Sequence, residues 1–304
     1  MKHRIGFAVC AWLGTTAVFD PSATTRAQGQ PPPDRPAVTV RGQVHTPRSI
    51  LARNMGTEAD QTTAFPPHTV VGNIHYVGTR TLSAFLITTP EGHILINTTY
   101  ERNVPVIEKS VSDLGFRFSD IKIVLATHAH GDHQEGDAMV KQMTGAQVMV
   151  MTEDVPAVRN IRPGGKEHPV DRVLRDGDTV SLGGTTLVAH LTAGHTRGCT
   201  TWTTRVEEGG RGHNVVFHCS LRAPAKIPPA VEAELTRTFR VVRELPCDVP
   251  LGDHPAQYNM QAKHARLRQG ATNPFVDAEG CDLEADIQEA MYRATLEEQK
   301  AAAP

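Results

Sequence analysis

One short segment constrains this chain more than any other: His128 to His133, with the sequence His-Ala-His-Gly-Asp-His. The apolar run from Ile121 to Ala126 precedes it and predicts a buried strand that leads directly into the segment. Imidazole and carboxylate groups are zinc ligands available at neutral pH. Four of them in six residues exceed what one tetrahedral ion takes from a single loop, so the sequence predicts a site for two metal ions. The alternative is a surface loop that is rich in histidine by chance.

The spacing inside this segment allows the ligands to converge. Alternate residues of an extended chain project to the same side, which brings His128, His130 and Asp132 together. Gly131 lets the backbone bend tightly, so that His133 approaches from a neighbouring direction. We therefore expect all four side chains to face one site.

Two later segments each present one more histidine at the predicted end of a strand. His195 lies in Ala193-Gly194-His195-Thr196, and His254 lies in Gly252-Asp253-His254-Pro255. Both are candidate ligands, because a turn at a strand end can direct an imidazole into a shared site.

Other histidines have a simpler interpretation. Packing or surface positions are expected for His75, His93, His213 and His264. His190 and His218 lie on predicted strands next to the site, where they either support a ligand or pack as structural imidazoles.

The hydrophobic pattern predicts one α/β sandwich domain, 61–304. Apolar runs bounded by turn residues predict strands within 69–99, 121–126, 147–151, 179–190 and 215–217. Apolar residues at helical spacing predict helices at 103–114, around 139–142 and at 283–296. This order of elements fits packed layers better than separate domains.

The first 27 residues predict an export signal: Lys2 and Arg4 precede an apolar stretch, and Thr25-Arg26-Ala27 fits a cleavage site. A buried or disordered N-terminus is the alternative. We expect an extended N-terminal segment at 28–60, which is rich in proline at its start. The protein is then periplasmic or secreted, with no stable membrane association after cleavage.

Charge excludes one class of partner. The chain of 304 residues has a formal net charge of −2 and no stripe of basic residues, so binding to nucleic acid is not expected.

The sequence shows no conspicuous apolar surface stripe that would form an interface between subunits, and a monomer is the default expectation.

The cysteine content favours disulfides. Removal of Cys10 with the signal leaves an even number in an exported chain: Cys199, Cys219, Cys247 and Cys281. The residues alone permit three pairings. Free buried thiols are the alternative if the chain is not exported.

Together these motifs resemble the metallo-β-lactamase superfamily over roughly residues 69 to 300. The pattern His-x-His-x-Asp-His, then Gly-His-Thr, then a late histidine is most similar to class B β-lactamases of the third subclass. The resemblance implies an αββα sandwich with two mixed sheets flanked by helices. It also implies two zinc ions (Zn2+) per chain, one held by His128, His130 and His195, and the other by Asp132, His133 and His254.

The stretch between His195 and His254 separates this subclass from its relatives. Many hydrolases of the superfamily have a metal-bridging Asp there, whereas Phe217-His218-Cys219-Ser220-Leu221 contains no acid. In the third subclass a Ser at this place binds substrate, which implies that role for Ser220. Cys219 then faces away, because adjacent strand residues alternate; Cys219 as a zinc ligand is the alternative.

The same resemblance bears on the disulfides. Cys247–Cys281 resembles a disulfide common in this subclass, which would tie the strand before His254 to the terminal helix. Cys199, just past the His195 loop, could pair with Cys219.

Two positions depart from the pattern of the relatives. Asn97 stands where relatives often carry an Asp near the metals, which changes the hydrogen bonding or the electrostatics there. Arg222 stands where the subclass often has a second Ser, and a guanidinium group can bind a carboxylate through two hydrogen bonds. We hypothesise that Arg222 binds the substrate carboxylate; a solvated loop arginine is the alternative.

The resemblance implies a zinc-dependent hydrolase that opens the β-lactam ring of penicillins, cephalosporins and carbapenems with a metal-bound hydroxide. Asp132 would orient that hydroxide as the catalytic carboxylate, besides binding one ion. The substrate would be a small molecule. One alternative is a lactonase or other ester hydrolase of the same fold, and another is a protein that binds zinc without catalysis.

Overall fold

Two β-sheets pack against each other in the computed structural model, which describes residues 34–302. The predicted signal at 1–27 and residues 28–33 lie outside the described residues. The strands are β1 (Val38–Val40), β2 (Gln43–His45), β3 (His68–Val71), β4 (Ile74–Tyr76), β5 (Phe85–Thr89), β6 (Gly92–Ile96), β7 (Ile121–Leu125), β8 (Gln147–Met151), β9 (Arg172–Leu174), β10 (Thr179–Leu182), β11 (Thr185–Leu191), β12 (Thr200–Glu208), β13 (Arg211–His218) and β14 (Val249–Gly252). The helices are α1 (Pro47–Met55), α2 (Glu58–Thr62), α3 (Val104–Asp113), α4 (Gly131–Gln134), α5 (Asp137–Thr144), α6 (Val155–Val158), α7 (Pro229–Glu244), α8 (Met260–Arg268) and α9 (Leu283–Ala301).

Both large sheets are mixed. The larger sheet has seven strands in the order β3 to β9, and the smaller has five in the order β10 to β14. In the larger sheet β3 to β6 are antiparallel and β6 to β9 are parallel. In the smaller sheet β10 to β13 are antiparallel, and β14 runs parallel to β13. The predicted sandwich of two mixed sheets flanked by helices is confirmed.

Alternation along the central strands divides the core into two layers. Ile94 and Ile96 of β6 pack between the sheets, while Leu95 packs with the residues of α3 on the outer side. The inter-sheet layer contains Phe85 and Phe217, whose rings meet edge to face with centroids 5.1 Å apart. Strands that are buried on both faces carry mostly apolar runs; in β7 only Lys122 interrupts the run, which is why the strand is visible in the sequence.

The predicted strands and helices correspond to β3–β6, α3, β7, α5, β8, β10, β11, β13, β14 and α9. The elements that the sequence prediction did not include are β1, β2, β9, β12, α1, α2, α4, α6, α7 and α8. Helix α7 is amphipathic, with Leu235, Phe239 and Val242 buried at helical spacing. None of the helices within residues 34–302 is long and apolar enough to cross a membrane.

The prediction of an extended segment at 28–60 is wrong for residues 38–60, which contain the hairpin β1–β2, helix α1 and the start of α2. A capping box starts α1, because the Thr46 hydroxyl accepts the backbone N–H of Ser49 and the Ser49 hydroxyl oxygen accepts the backbone N–H of Thr46. Pro47 then occupies the first turn, where its missing N–H costs nothing. Local helix-start signals therefore outweigh the proline-rich composition.

Helix α1 is held against α9 by packing and by charge. Ile50 is buried with Ile287 and Met291. Arg53 Nη2 donates to both carboxylate oxygens of Glu284, at 3.0 and 2.8 Å, and Glu284 is almost completely buried. Burial raises the pKa of Glu284, although the Arg53 charge opposes this shift. An ion pair of this kind fixes the position of α1 more than it adds net stability.

We expect Arg53→Met to lower the free energy of unfolding by about 3–5 kcal/mol, because it leaves a buried carboxylate without its partner. The double variant Arg53→Met/Glu284→Gln should recover most of that loss, since no charge is then buried alone. Urea unfolding of the two variants and the parent chain measures both effects. Equal losses in the single and the double variant would contradict this account of α1.

Candidate active site

The residues predicted as ligands lie at the ends of strands from both sheets. β7 of the larger sheet leads into the loop with His128 and His130, and α4 follows at Gly131. His195 follows β11 of the smaller sheet, and His254 follows β14. The two sheets therefore bring their ligands to one common edge.

Hydrogen bonds between the sheets hold the chain just before His128. Trp202 of β12 donates its indole N–H to the carbonyl of Ala126 at 3.0 Å, and the backbone N–H of Thr200 donates to the carbonyl of Thr127 at 2.7 Å. The side-chain oxygen of Asn97 accepts the backbone N–H of Thr127 at 3.0 Å. Asn97 has a φ of 63°, a left-handed conformation in which Asn is enriched. Its role here is to support the loop without adding a charge.

The six predicted ligands form two groups of three, and the structure brings all of them together. Within each group the ligand atoms lie within 4.8 Å of one another: His128, His130 and His195 form the first triad, and Asp132, His133 and His254 form the second triad. In the first triad His128 Nε2 lies 3.1 Å from His130 Nδ1. In the second triad Asp132 Oδ2 lies 3.3 Å from His133 Nε2 and 3.9 Å from His254 Nε2.

Backbone carbonyls fix the orientation of one histidine in each triad. His195 Nδ1 donates to the carbonyl of Arg222 at 3.0 Å. His254 Nδ1 donates to the carbonyl of Thr81 at 2.9 Å. Because a carbonyl only accepts, each Nδ1 carries the proton, and each Nε2 is left with a free lone pair for a metal.

Burial keeps most of these imidazoles neutral, the form that binds a metal. Burial and the neighbouring His133 lower the pKa of His128 to about 4, despite the opposing effect of Asp253. Burial also lowers the pKa of His195 well below its usual value, and His128 and His130 add to the effect. His133 differs: burial lowers its pKa, but the Asp132 carboxylate outweighs burial and leaves that pKa raised. A metal in the second triad would take the place of that proton.

The donor set fits metal ions. Neither ring nitrogen of the buried His133 makes a hydrogen bond of normal geometry within residues 34–302; Nε2 has an ion-pair contact with Asp132 Oδ2 at 3.3 Å, and Nδ1 lacks even that. Buried polar atoms without partners are costly, and coordination to an ion would remove that cost. Imidazole nitrogens with one carboxylate suit zinc and the neighbouring divalent transition metals better than calcium or magnesium. The two triads can therefore hold the metal of a hydrolytic centre.

The predicted substrate residues line the same cavity. Ser220 and Arg222 border the two triads, in a cavity of about 50 Å³. Helix α1 forms a wall of it through Leu51, Asn54 and Met55, which the sequence analysis did not identify. The guanidinium group of Arg222 has no hydrogen-bond or ion-pair partner among residues 34–302. Burial lowers the pKa of Arg222, and Asp132 opposes this shift.

Both predicted disulfides are present. Cys199 is bonded to Cys219 with Cα atoms 5.8 Å apart, and Cys247 is bonded to Cys281 with Cα atoms 6.1 Å apart. Cys219 Sγ lies 3.6 Å from His128 Nδ1, but its bond to Cys199 occupies the sulfur. The alternative of Cys219 as a metal ligand does not fit this arrangement.

The other histidines behave largely as packing residues. His75 hydrogen-bonds Thr69 at 3.1 Å, and the rings of His93 and His264 contact Phe116 and Phe65 respectively. His213 is half-buried on β13. His190 hydrogen-bonds Thr203 at 2.8 Å, and His218 is buried next to the site.

Asp154 is a site residue that the sequence analysis missed. Its carboxylate accepts the backbone N–H of Ala129 at 2.9 Å, the hydroxyl of Thr196 at 2.8 Å and the backbone N–H of Gly198 at 2.7 Å. It thereby joins the His128 loop to the His195 loop. A Cβ atom at Gly198 would lie 2.5 Å from the backbone nitrogen of Asp154, so this close approach requires glycine.

We expect Asp154→Ala to lower the free energy of unfolding by about 2–5 kcal/mol, because it leaves two buried N–H groups without acceptors. Metal affinity should fall as well, since the two ligand loops lose their connection. Chemical unfolding and a zinc titration measure the two effects. An unchanged zinc affinity would show that the loops keep their positions without Asp154.

Comparison with known proteins identifies the family. The family model of the metallo-β-lactamase superfamily matches residues 77–249, which is more than half of the chain. A curated relative, the hydroxyacylglutathione hydrolase of Methylobacterium nodulans, is 36% identical over 87 residues. That alignment covers only 29% of this chain and 29% of the relative.

Solved structures match over most of the described chain. The native FEZ-1 metallo-β-lactamase of Legionella gormanii is 39% identical with a TM-score of 0.76, covering 79% of this chain and 98% of that chain. BJP-1, a subclass B3 metallo-β-lactamase of Bradyrhizobium japonicum, is 35% identical with a TM-score of 0.74, covering 80% of this chain and 98% of that chain. The chain belongs to the metallo-β-lactamase superfamily, and its structural neighbours are metallo-β-lactamases of subclass B3.

Proposed function

We propose that this protein is a zinc-dependent β-lactamase with two metal ions per chain. The observation that carries the proposal is the shared cavity: both triads, Ser220 and an unpaired Arg222 face the same space. The similarity to FEZ-1 and BJP-1 over nearly their whole length supports the same conclusion.

His128, His130 and His195 would hold one ion, and Asp132, His133 and His254 the other. When bound, zinc supplies a Lewis acid and lowers the pKa of a bound water to near neutrality. The chain's own contribution is to hold the ligands, through the carbonyls of Arg222 and Thr81, and to exclude bulk water. Asp132 would orient the attacking water, besides binding one ion. Water adds to the lactam carbonyl, the C–N bond breaks, and the released nitrogen takes a proton from water.

Recognition of the substrate falls to Arg222 and Ser220. A partly buried guanidinium that has no counter-ion among residues 34–302 favours an anion, and the carboxylate of a β-lactam would supply one with two hydrogen bonds. The Ser220 hydroxyl is almost completely buried at the same cavity and provides a further hydrogen bond.

Export fits this function. Two disulfides support an oxidising compartment, either the periplasm or the outside of the cell. β-Lactams act outside the cytoplasm, so an enzyme that destroys them works there.

A second candidate is a hydrolase of lactones, esters or thioesters on the same metal centre. The partial similarity to hydroxyacylglutathione hydrolases favours it. The two candidates differ in substrate only, so one experiment separates them.

The test is hydrolysis of a carbapenem and a cephalosporin by the chain from Gln28 onward, with zinc and then with a chelator. We expect turnover that the chelator abolishes and that zinc restores. Asp132→Asn serves as the control, and its turnover should fall by at least about 10³-fold, as for the loss of an essential catalytic group. Turnover of an aryl lactone or a thioester but not of a β-lactam would favour the second candidate.

Arg222→Ala tests the recognition of the carboxylate. We expect KM to rise about 10- to 100-fold with a smaller change in kcat, because a charge-assisted bidentate contact of about 1.5–3 kcal/mol is lost. Arg222→Lys should recover only part of the loss, since an ammonium group cannot make both hydrogen bonds in one plane. An unchanged KM for Arg222→Ala would show that Arg222 is a solvated loop residue that does not bind the substrate carboxylate.

A further inference from the structure

Asp253 is a buried carboxylate that belongs to neither triad. It lies at the end of β14, directly before the ligand His254, and its side chain is completely buried. Its Oδ2 lies 3.4 Å from His128 Nδ1. Neither carboxylate oxygen makes a hydrogen bond of normal geometry within residues 34–302.

The carboxylate reaches one histidine of each triad. The side-chain ligand atoms of Asp253, His128 and His133 lie within 4.8 Å of one another. His128 directs Nε2 towards His130 of the first triad, so its Nδ1 is the atom that faces Asp253. One negative charge therefore lies behind ligands of both metal positions.

No other charged acceptor lies near His128 Nδ1 among residues 34–302. The Thr127 hydroxyl, which donates to Asn97 at 3.2 Å, can also accept from Nδ1 at 3.3 Å, but it is neutral. Cys219 Sγ, at 3.6 Å, is bonded to Cys199. Asn97 is neutral. Asp253 is the anion behind His128 in the described part of the chain.

A structural role alone does not account for this carboxylate. Burial of an ionised carboxylate without hydrogen bonds is costly, and in the metal-free chain the nearby imidazoles of His128 and His133 offset that cost only through charge. An amide of the same shape would avoid most of it. The balance changes when a metal binds Nε2, because the imidazole N–H then becomes a stronger donor and the metal adds positive charge. A carboxylate behind a metal-bound histidine fixes its orientation and raises its basicity.

We propose that Asp253 is a positioning residue, which orients His128 and strengthens metal binding in both triads by its charge. The inference rests on the proposed function only in that the two triads bind metal. The Asp253 carboxylate, directly before the last ligand His254, thereby stabilises the metal-bound form at the expense of the metal-free form.

Asp253→Asn tests this inference, because it keeps the shape and removes the charge. Zinc affinity is measured by competition with a chromophoric chelator, and thermal unfolding is followed with and without zinc. We expect both stepwise dissociation constants for zinc to rise about 10- to 100-fold. The metal-free variant should unfold at the same temperature as the metal-free parent or at a higher one, while the increase caused by zinc becomes smaller.

Asp154→Asn is the matched control, since Asp154 is equally buried but accepts three hydrogen bonds. It should lower the unfolding temperature of the metal-free chain, the opposite of the result expected for Asp253→Asn.

Wild-type zinc affinity in Asp253→Asn would overturn the inference, and so would a metal-free variant that unfolds well below the parent. If Asp253→Asn does not fold, Asp253→Ser is measured against the same two criteria, and failure of both variants to fold also overturns it. A parent chain that binds no zinc would contradict the proposed function instead.

Discussion

Contacts between the two sheets determine whether the site exists at all. The larger sheet carries His128, His130, Asp132 and His133, and the smaller sheet carries His195 and His254, so neither sheet holds a complete site. The packing of Phe85 against Phe217 fixes the separation of the sheets, and the bond from Trp202 to Ala126 fixes the β7 loop relative to β12. A change that shifts one sheet relative to the other would move the ligands of one sheet away from those of the other. The same packing between the sheets therefore stabilises the core and sets the positions of the ligands.

The buried polar groups around the site fall into two classes by how the fold supports them. Asp154 is fully supported, because three donors from two loops surround its carboxylate. His133, Asp253 and His218 have buried atoms that lack hydrogen bonds of normal geometry from residues 34–302. Unsupported buried groups are costly. The first class builds the loops, and the second lies at the metal ligands or next to them.

The sequence predicted what local patterns encode and missed what distant contacts create. The strand β7 and the motif after it are visible because four of the five residues of β7 are apolar and the ligands are close in sequence. Asp154 could not be found in this way, because it joins loops that are 25 and 44 residues away. Helix α1 was missed for a different reason. Its capping box at Thr46 is a local signal, but the proline content of the preceding segment outweighed it in the interpretation.

Two residues near the ligands affect the charge of the site in the same direction. Asn97 supports the His128 loop with a neutral amide, and Arg222 adds a guanidinium group to the cavity wall. The carboxylates near the ligands are Asp132, Asp253 and Asp154, and their three negative charges are fewer than the four positive charges of two divalent ions. With both ions bound, the cavity would carry a net positive charge in a water-poor setting, where charges interact more strongly than in bulk water. Such a cavity favours an anionic substrate over a neutral one, which supports β-lactams with their carboxylate over uncharged lactones.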